Sequence, residues 1–272
     1  MKYHEEIGVS TPEWGWVPSP TYILRRDAIL RAVADWEPGA LLEVGCGSGS
    51  ISYEMARRGF RCVAVEMSGP ARELAARILR DFPEANVVET PPKDVTFDYM
   101  MSFEVLEHIK DDAAALRDWV ARLRVGGRCL LSVPAHRRKW NVTDVSVGHY
   151  RRYDRADIIS LVESSGLEIE SVSTYGWPFT WVIEKVRLRV KSYQLKRRGI
   201  DPAAVALGDT QLTEESGIQR DAERRLFPWY GSWAGRKMSR LACRFQFRFM
   251  RGDRGISYLV KARNPSGRPV IQ

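Results

Sequence analysis

The residues best suited to chemistry lie in Leu41–Gly49, which reads LLEVGCGSG. Glu43 stands two residues before the first of three glycines at alternate positions, Gly45, Gly47 and Gly49. Such glycines let the backbone turn with positive φ and let a ligand lie against the main chain, where a Cβ would collide. A helix N-terminus below a loop of this kind attracts phosphate. A carboxylate at Glu43 would repel a pyrophosphate, however, and suits a ligand bearing an ammonium or sulfonium. The spacing E-x-G-x-G-x-G also departs from the dinucleotide pattern G-x-G-x-x-G at its third glycine. A second acid, Glu66, closes the run RCVAVE twenty-one residues after Gly45. At the tip of a second strand such an acid hydrogen-bonds both ribose hydroxyls, so the two acids together describe a cationic nucleoside.

Groups able to move a proton come later in the chain. Trp140–Tyr153, WNVTDVSVGHYRRY, holds Asp144, His149, Tyr150, Arg151, Arg152 and Tyr153. A histidine beside a carboxylate is the usual device for taking a proton from a hydroxyl or amine near neutral pH. The competing reading is structural: Asp154 caps the next helix, and the arginines and tyrosines pin the loop to the domain. His108, in SFEVLEHI, is either a reserve base at the site mouth or a helix-terminal residue bonded to backbone.

The elements that must position these groups alternate between strand and helix. Leu41–Val44 is a buried strand, and Ser50–Arg58 the helix under the glycine loop. Arg61–Glu66 is the second strand, followed by a helix over Pro70–Asp81 with Leu74, Ile78 and Phe82 inward. Asn86–Glu89, Phe97–Phe103, Gly126–Pro134, Leu167–Tyr175 and Gly255–Arg263 read as further strands, with helices at Asp112–Arg124 and Asp154–Ser165. Thr21–Val33 has helical rhythm, with Arg25 and Arg26 placed on its solvated side. Residues 1–20 carry Trp14, Trp16, Pro18 and Pro20, which break helices and suggest a strap or lid. In a fold of this type ligands lie at the carboxyl ends of the strands, which makes Glu89–Asp94 the wall over a base.

Glu43, the glycine triplet and Glu66 together resemble the first two motifs of class I S-adenosylmethionine-dependent methyltransferases. SFEVLEHI resembles the fourth-strand motif of the branch containing the quinone-biosynthesis methyltransferases. The resemblance implies a Rossmann-like α/β fold: a seven-stranded sheet, parallel except for the last strand, with helices on both faces. It implies S-adenosyl-L-methionine as cofactor and S-adenosyl-L-homocysteine as product. Glu43, Gly45, Gly47 and Gly49 would hold the methionine portion, with the backbone at Ser102 and Phe103 passing along it. Glu66 would take the ribose, Cys46 and Met67 would pack around the adenosine, and Glu89 or Asp94 would meet the adenine amine. Tyr22 and Arg25 would either touch the methionine end or serve packing and solvation. His149, oriented by Asp144, would take the acceptor proton, with His108 in reserve. A carbon or neutral-amine acceptor would need no strong base, and the transfer itself calls for no metal. The acceptor is expected to be a small aromatic or lipophilic molecule offering O, N or C. A membrane-associated lipid-linked or glycan acceptor is the alternative. A non-catalytic nucleoside-binding protein or an NAD-dependent oxidoreductase is the rival from another class.

Composition bounds the rest. The chain has 272 residues and a formal net charge of +8, which favours acidic partners without choosing among them. Cys46, Cys62, Cys129 and Cys243 show no C-x-x-C spacing, which argues against a zinc site or disulfide framework. With no apolar run near the ~18 residues of a membrane span, a soluble, cytoplasmic protein is expected. The expected organisation is a strap and helix over 1–35, a cofactor-binding core over 36–176 and 254–272, and a helical insertion over 177–253. About eighty residues separate the last two strands, far beyond an ordinary loop. The insertion would begin with a basic amphipathic helix from Phe179, pass through a mobile linker at 201–223, and end in a basic, aromatic stretch from Arg224 to Met250. FQFRF within that stretch is assigned to helix, although it also alternates like a strand. The insertion reads first as a lid over the acceptor, then as a contact with anionic membrane, and last as an RNA platform, since it matches no RNA-binding module. Nothing in the sequence settles the oligomeric state.

Overall fold

The computed structural model describes residues 1–181, 183–184 and 221–265. The chain opens with a hairpin of β1 (Lys2–His4) and β2 (Gly8–Ser10), whose strands pair antiparallel within the segment expected as a strap. Ser19 then caps α1 (Pro20–Ala32): its side chain accepts from the Tyr22 amide at 3.1 Å, with proline in the first position, where its missing N–H costs nothing. There follow β3 (Ala40–Val44), α2 (Ser50–Ala56), β4 (Arg61–Val65), α3 (Gly69–Leu79), β5 (Ala85–Val88), β6 (Phe97–Phe103), α4 (Asp112–Val120) and β7 (Leu123–Pro134). After β7 come α5 (Val142–Ser146), α6 (Arg155–Ser164), β8 (Glu168–Tyr175), α7 (Asp221–Tyr230), α8 (Trp233–Phe247) and β9 (Ser257–Arg263). The linker expected at 201–223, apart from the residues that begin α7, and most of the basic helix expected from Phe179 lie outside the described residues.

Seven strands form one sheet in the order β5-β4-β3-β6-β7-β9-β8. β9 runs antiparallel to both its neighbours, while β5, β4, β3, β6 and β7 pair parallel. The order reverses beside β3, which makes its carboxyl end the switch point where such sheets bind ligands. Register places the functional residues there: Val44 pairs with Val65 on one side and with Ser102 on the other. Gly45, Glu66 and Phe103 therefore leave or reach the sheet edge at one level. Fully buried Leu41, Leu42, Met100, Met101 and Leu130 fill the two faces of these central strands, the near-continuous apolar pattern of a sheet covered on both sides.

Two expectations change. Helix α4 ends at Val120 because β7 already begins at Leu123. The start of FQFRF lies in α8 as expected, with Phe245 and Phe247 exposed and Arg248 at the C-cap, so its alternation does not make a strand. Arg25 and Arg26 do not face solvent. Arg26 is buried and its Nε donates to Glu54 Oε1 at 2.6 Å, with the Tyr3 hydroxyl 3.1 Å from its Nη2. Helix α1 is covered on one side by the sheet and strap and on another by α8, where Gln246 Nε2 donates to the Leu24 carbonyl at 2.8 Å. Its solvent-facing charges are Asp27 and Arg31, which pair with each other at 2.8 Å.

Candidate active site

At the carboxyl edge of β3, β4 and β6 lies a cavity of about 740 Å³. Its walls include Glu43, Gly45, Cys46, Gly47, Glu66, Met67, Glu89 and Phe103 on one side, and Trp16, Tyr22, Arg25, His108, Asp144 and His149 on the other. Ser102 is buried in β6 but does not line the cavity; Glu104, two positions on, does. Asp94 is exposed and also absent from the walls.

The glycines serve different ends. Gly47, with φ 55°, has nothing within 4 Å of where its Cβ would stand, so the open cavity lies directly against its backbone. Gly45 and Gly49 are small because of close protein packing instead: a Cβ would stand 2.3 Å from Val105 Cγ2 and 2.9 Å from Ala75 Cβ, respectively. The expectation that all three clear space for a ligand therefore narrows to Gly47.

Glu66 leans over this loop. Its Oε2 accepts from the Gly47 amide at 2.8 Å and its Oε1 from the Ser68 amide at 2.9 Å. Glu43 is buried, and Ser52 donates a short hydrogen bond to its Oε2. Burial pushes the Glu43 carboxyl up to about 7, against the pull of Ser52 and the Arg25 guanidinium. Burial likewise raises the Cys46 thiol, which stays neutral. Met67 is exposed at the rim, and Glu89 pairs with Arg72 at 3.2 Å. Tyr22 is buried with its hydroxyl unpartnered, and Arg25 Nε is likewise buried without a partner. Two polar atoms in this state, in the wall of a cavity, are suited to a polar ligand.

The opposite wall is built by the loop after β7. Asn141 and Asp144 form a capping box at the start of α5, with Asp144 Oδ2 accepting from the Asn141 amide at 2.9 Å. The other oxygen, Oδ1, receives His149 Nδ1 at 2.9 Å and Arg152 Nε at 2.8 Å. Burial would raise this carboxyl, but the His149 and Arg152 hydrogen bonds hold it below its ordinary value. A carboxylate on Nδ1 assigns the proton to that nitrogen and leaves Nε2 as the acceptor. The rest of the motif pins the loop, as the structural reading expected. The Tyr150 amide donates to the Glu107 carbonyl at 2.8 Å, Arg151 pairs with Asp112 at 2.9 Å, and the Tyr153 hydroxyl donates to Asp112 at 2.7 Å. Asp154 caps α6 within a capping box. His149 thus has both expected features at once, a place in the pinned loop and a place in the cavity wall.

His108 closes a 3₁₀ turn rather than opening a helix. Its ring stands edge-on to His149 with centroids 4.6 Å apart, and burial with the neighbouring His149 lowers it to about 3. It is a neutral imidazole at physiological pH and a poor base. Between the two histidines lies Glu107, which no sequence motif singled out. It is fully buried, neither carboxylate oxygen has a hydrogen-bond partner, and Oε1 is 3.8 Å from His149 Nε2. Burial and the nearby Glu104 raise it well above its ordinary value. Ligand atoms of Glu107, His108 and His149 all lie within 4.8 Å of one another. Two imidazoles and a carboxylate could hold a divalent cation, a grouping that no spacing in the sequence announces. Glu104 adopts φ 58°, costly for a non-glycine. Its carboxylate accepts from Ser132 Oγ at 2.8 Å, the Tyr175 hydroxyl at 2.9 Å and Ser257 Oγ at 3.2 Å.

This fold and site agree with what the chain resembles. The family model described as a methyltransferase domain matches residues 22–172, more than half of the chain, and the chain belongs to that family. It is 30% identical over 135 residues to a "probable S-adenosylmethionine-dependent methyltransferase" of Mycolicibacterium smegmatis, covering 48% of this chain and 52% of that protein. It is 29% identical over 116 residues to a ubiquinone biosynthesis O-methyltransferase of Alkalilimnicola ehrlichii, covering 40% and 47%. The chain therefore spans about half the length of the curated relatives it matches. Phosphoethanolamine N-methyltransferase 2 of Haemonchus contortus superposes with a TM-score of 0.53 at 17% identity, over 89% of this chain and 52% of that one. The [4+2]-cyclase SpnF gives 0.53 at 17% identity, over 89% and 81%. Both show the fold.

Proposed function

We propose that the chain is an S-adenosyl-L-methionine-dependent methyltransferase acting on a small-molecule acceptor through oxygen. The observation that carries this reading is one cavity with Glu43 and Glu66 on one wall and an Asp144-held histidine on the other. Solved relatives in complex with S-adenosyl-L-methionine or S-adenosyl-L-homocysteine, and sequence relatives named ubiquinone biosynthesis O-methyltransferases, support the cofactor and favour a hydroxyl acceptor. The bound cofactor supplies an electrophilic methyl group on a sulfonium. Glu43 and the Gly47 backbone would hold its methionine part, Glu66 its ribose, and Cys46 and Met67 its base. Arg25 and the Tyr22 hydroxyl would receive its carboxylate. Trp16, Tyr22 and Phe103 would wall off water around the reacting pair, and alignment of this kind is worth about 7–11 kcal/mol. His149 Nε2 would accept the acceptor's proton while Asp144 keeps the imidazole in the right tautomer and steadies its charge. The fold neighbour named a [4+2]-cyclase is a reminder that fold alone does not set the reaction. Glu43, which would repel a pyrophosphate, weighs against an NAD-dependent oxidoreductase.

Release of S-adenosyl-L-homocysteine in the presence of a panel of phenols, catechols and amines tests the assignment. His149→Ala should lower turnover by about two to four decades with cofactor affinity unchanged. An unaltered rate would remove His149 as the base.

The unpartnered Glu107 carboxylate favours a second reading of the same reaction. Glu107, His108 and His149 would hold a divalent cation, whose charge would lower the pKa of an acceptor hydroxyl. Activity abolished by a chelator, restored by added Mg²⁺, Mn²⁺ or Zn²⁺ and insensitive to the chelator in Glu107→Gln would establish it. Activity indifferent to chelation would leave His149 as the sole acceptor of the proton.

A further inference from the structure

Helices α7 and α8 form a hairpin that is anchored on one face and, among the described residues, bare on the other. Inward, Phe227 and Tyr230 of α7 pack with Ile7, Ile23, Leu24 and Cys243. From α8, Gln246 bonds the Leu24 carbonyl at 2.8 Å and accepts from the Gly176 amide at 3.0 Å, while Arg236 and Arg240 both reach Glu6. These contacts fix which way the hairpin faces. Outward stand Leu226, Trp229, Trp233, Met238, Leu241 and Phe245, with Trp229 80%, Trp233 70% and Met238 70% exposed. Trp233, Leu241 and Phe245 fall on one line of α8 at intervals of four or eight residues. Lys237 lies on that line too, 5.7 Å from the Trp233 ring, and exposed Arg244 and Arg248 flank it.

So many large apolar side chains in water mark an interaction surface. Its charge selects the partner. Arg224 to Arg251 contains eight basic residues and no acidic one. The cores of protein–protein interfaces are depleted in charge, whereas here the cations are interleaved with the apolar residues. That mixture, with tryptophans at the bend between two helices, matches the boundary between lipid headgroups and acyl chains. Among the described residues no helix is long and apolar enough to cross a membrane, so the surface would lie on a bilayer rather than span it.

We propose that the outer face of the α7–α8 hairpin docks the protein onto anionic phospholipid bilayers. The aromatic and aliphatic side chains enter the headgroup–acyl boundary while Arg225, Lys237, Arg244 and Arg248 meet lipid phosphates. This proposal does not depend on the reaction catalysed, since the surface lies outside the cavity walls.

Sedimentation of the full chain with vesicles of phosphatidylcholine alone, or with one-third phosphatidylglycerol, tests it. The expected result is co-sedimentation with the anionic vesicles, reduced about tenfold or more by uncharged lipid or by raising the salt. Trp229→Ser with Trp233→Ser, and separately Lys237→Glu with Arg244→Glu, should each reduce partitioning by about tenfold. These side chains are exposed, so an unchanged circular dichroism spectrum and cofactor affinity would show that the fold is kept. A blue shift of tryptophan emission on vesicle addition, absent from the tryptophan double variant, would show that this face enters the lipid. Equal binding to both vesicle types, or none, would overturn the proposal. So would self-association of the chain or retention of RNA that the tryptophan variant abolishes.

Discussion

Glu43 carries a carboxyl that its surroundings do not want charged. Its folded-state value of about 7 lies above the ordinary 4.5. The stability this group contributes is therefore complete below about pH 4.5 and lost as pH rises through 7. A cationic ligand reverses the preference, because only the carboxylate attracts it, and binding must then release a proton below pH 7. Cofactor affinity is expected to rise about tenfold between pH 6 and pH 8 and then level off. Calorimetry in buffers of different ionisation heat should register the released proton, and Glu43→Gln should flatten the profile. An affinity independent of pH in the parent chain would mean that Glu43 does not meet the ligand's charge. At this scale the acids of the site were readable in the sequence, because strand ends and glycines announce them. Glu107 was not: within SFEVLEHI its burial and its missing partners are products of the loop after β7 folding over it, which no local spacing encodes.

At the scale of elements, the strap and α1 depend on a pair that the sequence hides. The Arg26–Glu54 bridge joins α1 to α2 with both side chains buried, and Tyr3 from β1 shares it. Glu54→Ala would strand a buried guanidinium and should lower unfolding free energy by about 3–5 kcal/mol. Glu73→Ala, which breaks the exposed Arg77–Glu73 pair on α3, should change it by less than about 1 kcal/mol. Urea unfolding of the two variants distinguishes them, and similar losses would refute the structural role of the bridge. The central strands were legible to within a residue or two, apart from the start of β7 at Leu123, because a doubly covered parallel sheet leaves continuous apolar runs. The hairpin of β1 and β2 was not, since three-residue strands carry too little alternation to be recognised. Arg25 and Arg26 were misplaced for a related reason: a helix packed on more than one side keeps only a narrow polar face, here Asp27 and Arg31, and its rhythm cannot say which charges are paired inside.

For the whole molecule, the cavity sits where β4, β3 and β6 end, so a bound cofactor would tie together both sides of the switch point and the pinned Trp140–Tyr153 loop. Saturation at one hundred times the dissociation constant should add about 2.7 kcal/mol to stability and raise the melting temperature by several degrees. No shift with S-adenosyl-L-homocysteine would mean that the cavity does not take it.

The most direct test is a calorimetric titration of the purified chain with S-adenosyl-L-homocysteine and, separately, with NAD, repeated on Glu66→Ala. Saturable one-to-one binding of S-adenosyl-L-homocysteine is expected, weakened at least tenfold by the substitution, with no heat from NAD. Binding of NAD, or S-adenosyl-L-homocysteine affinity untouched by the loss of Glu66, would contradict the assignment.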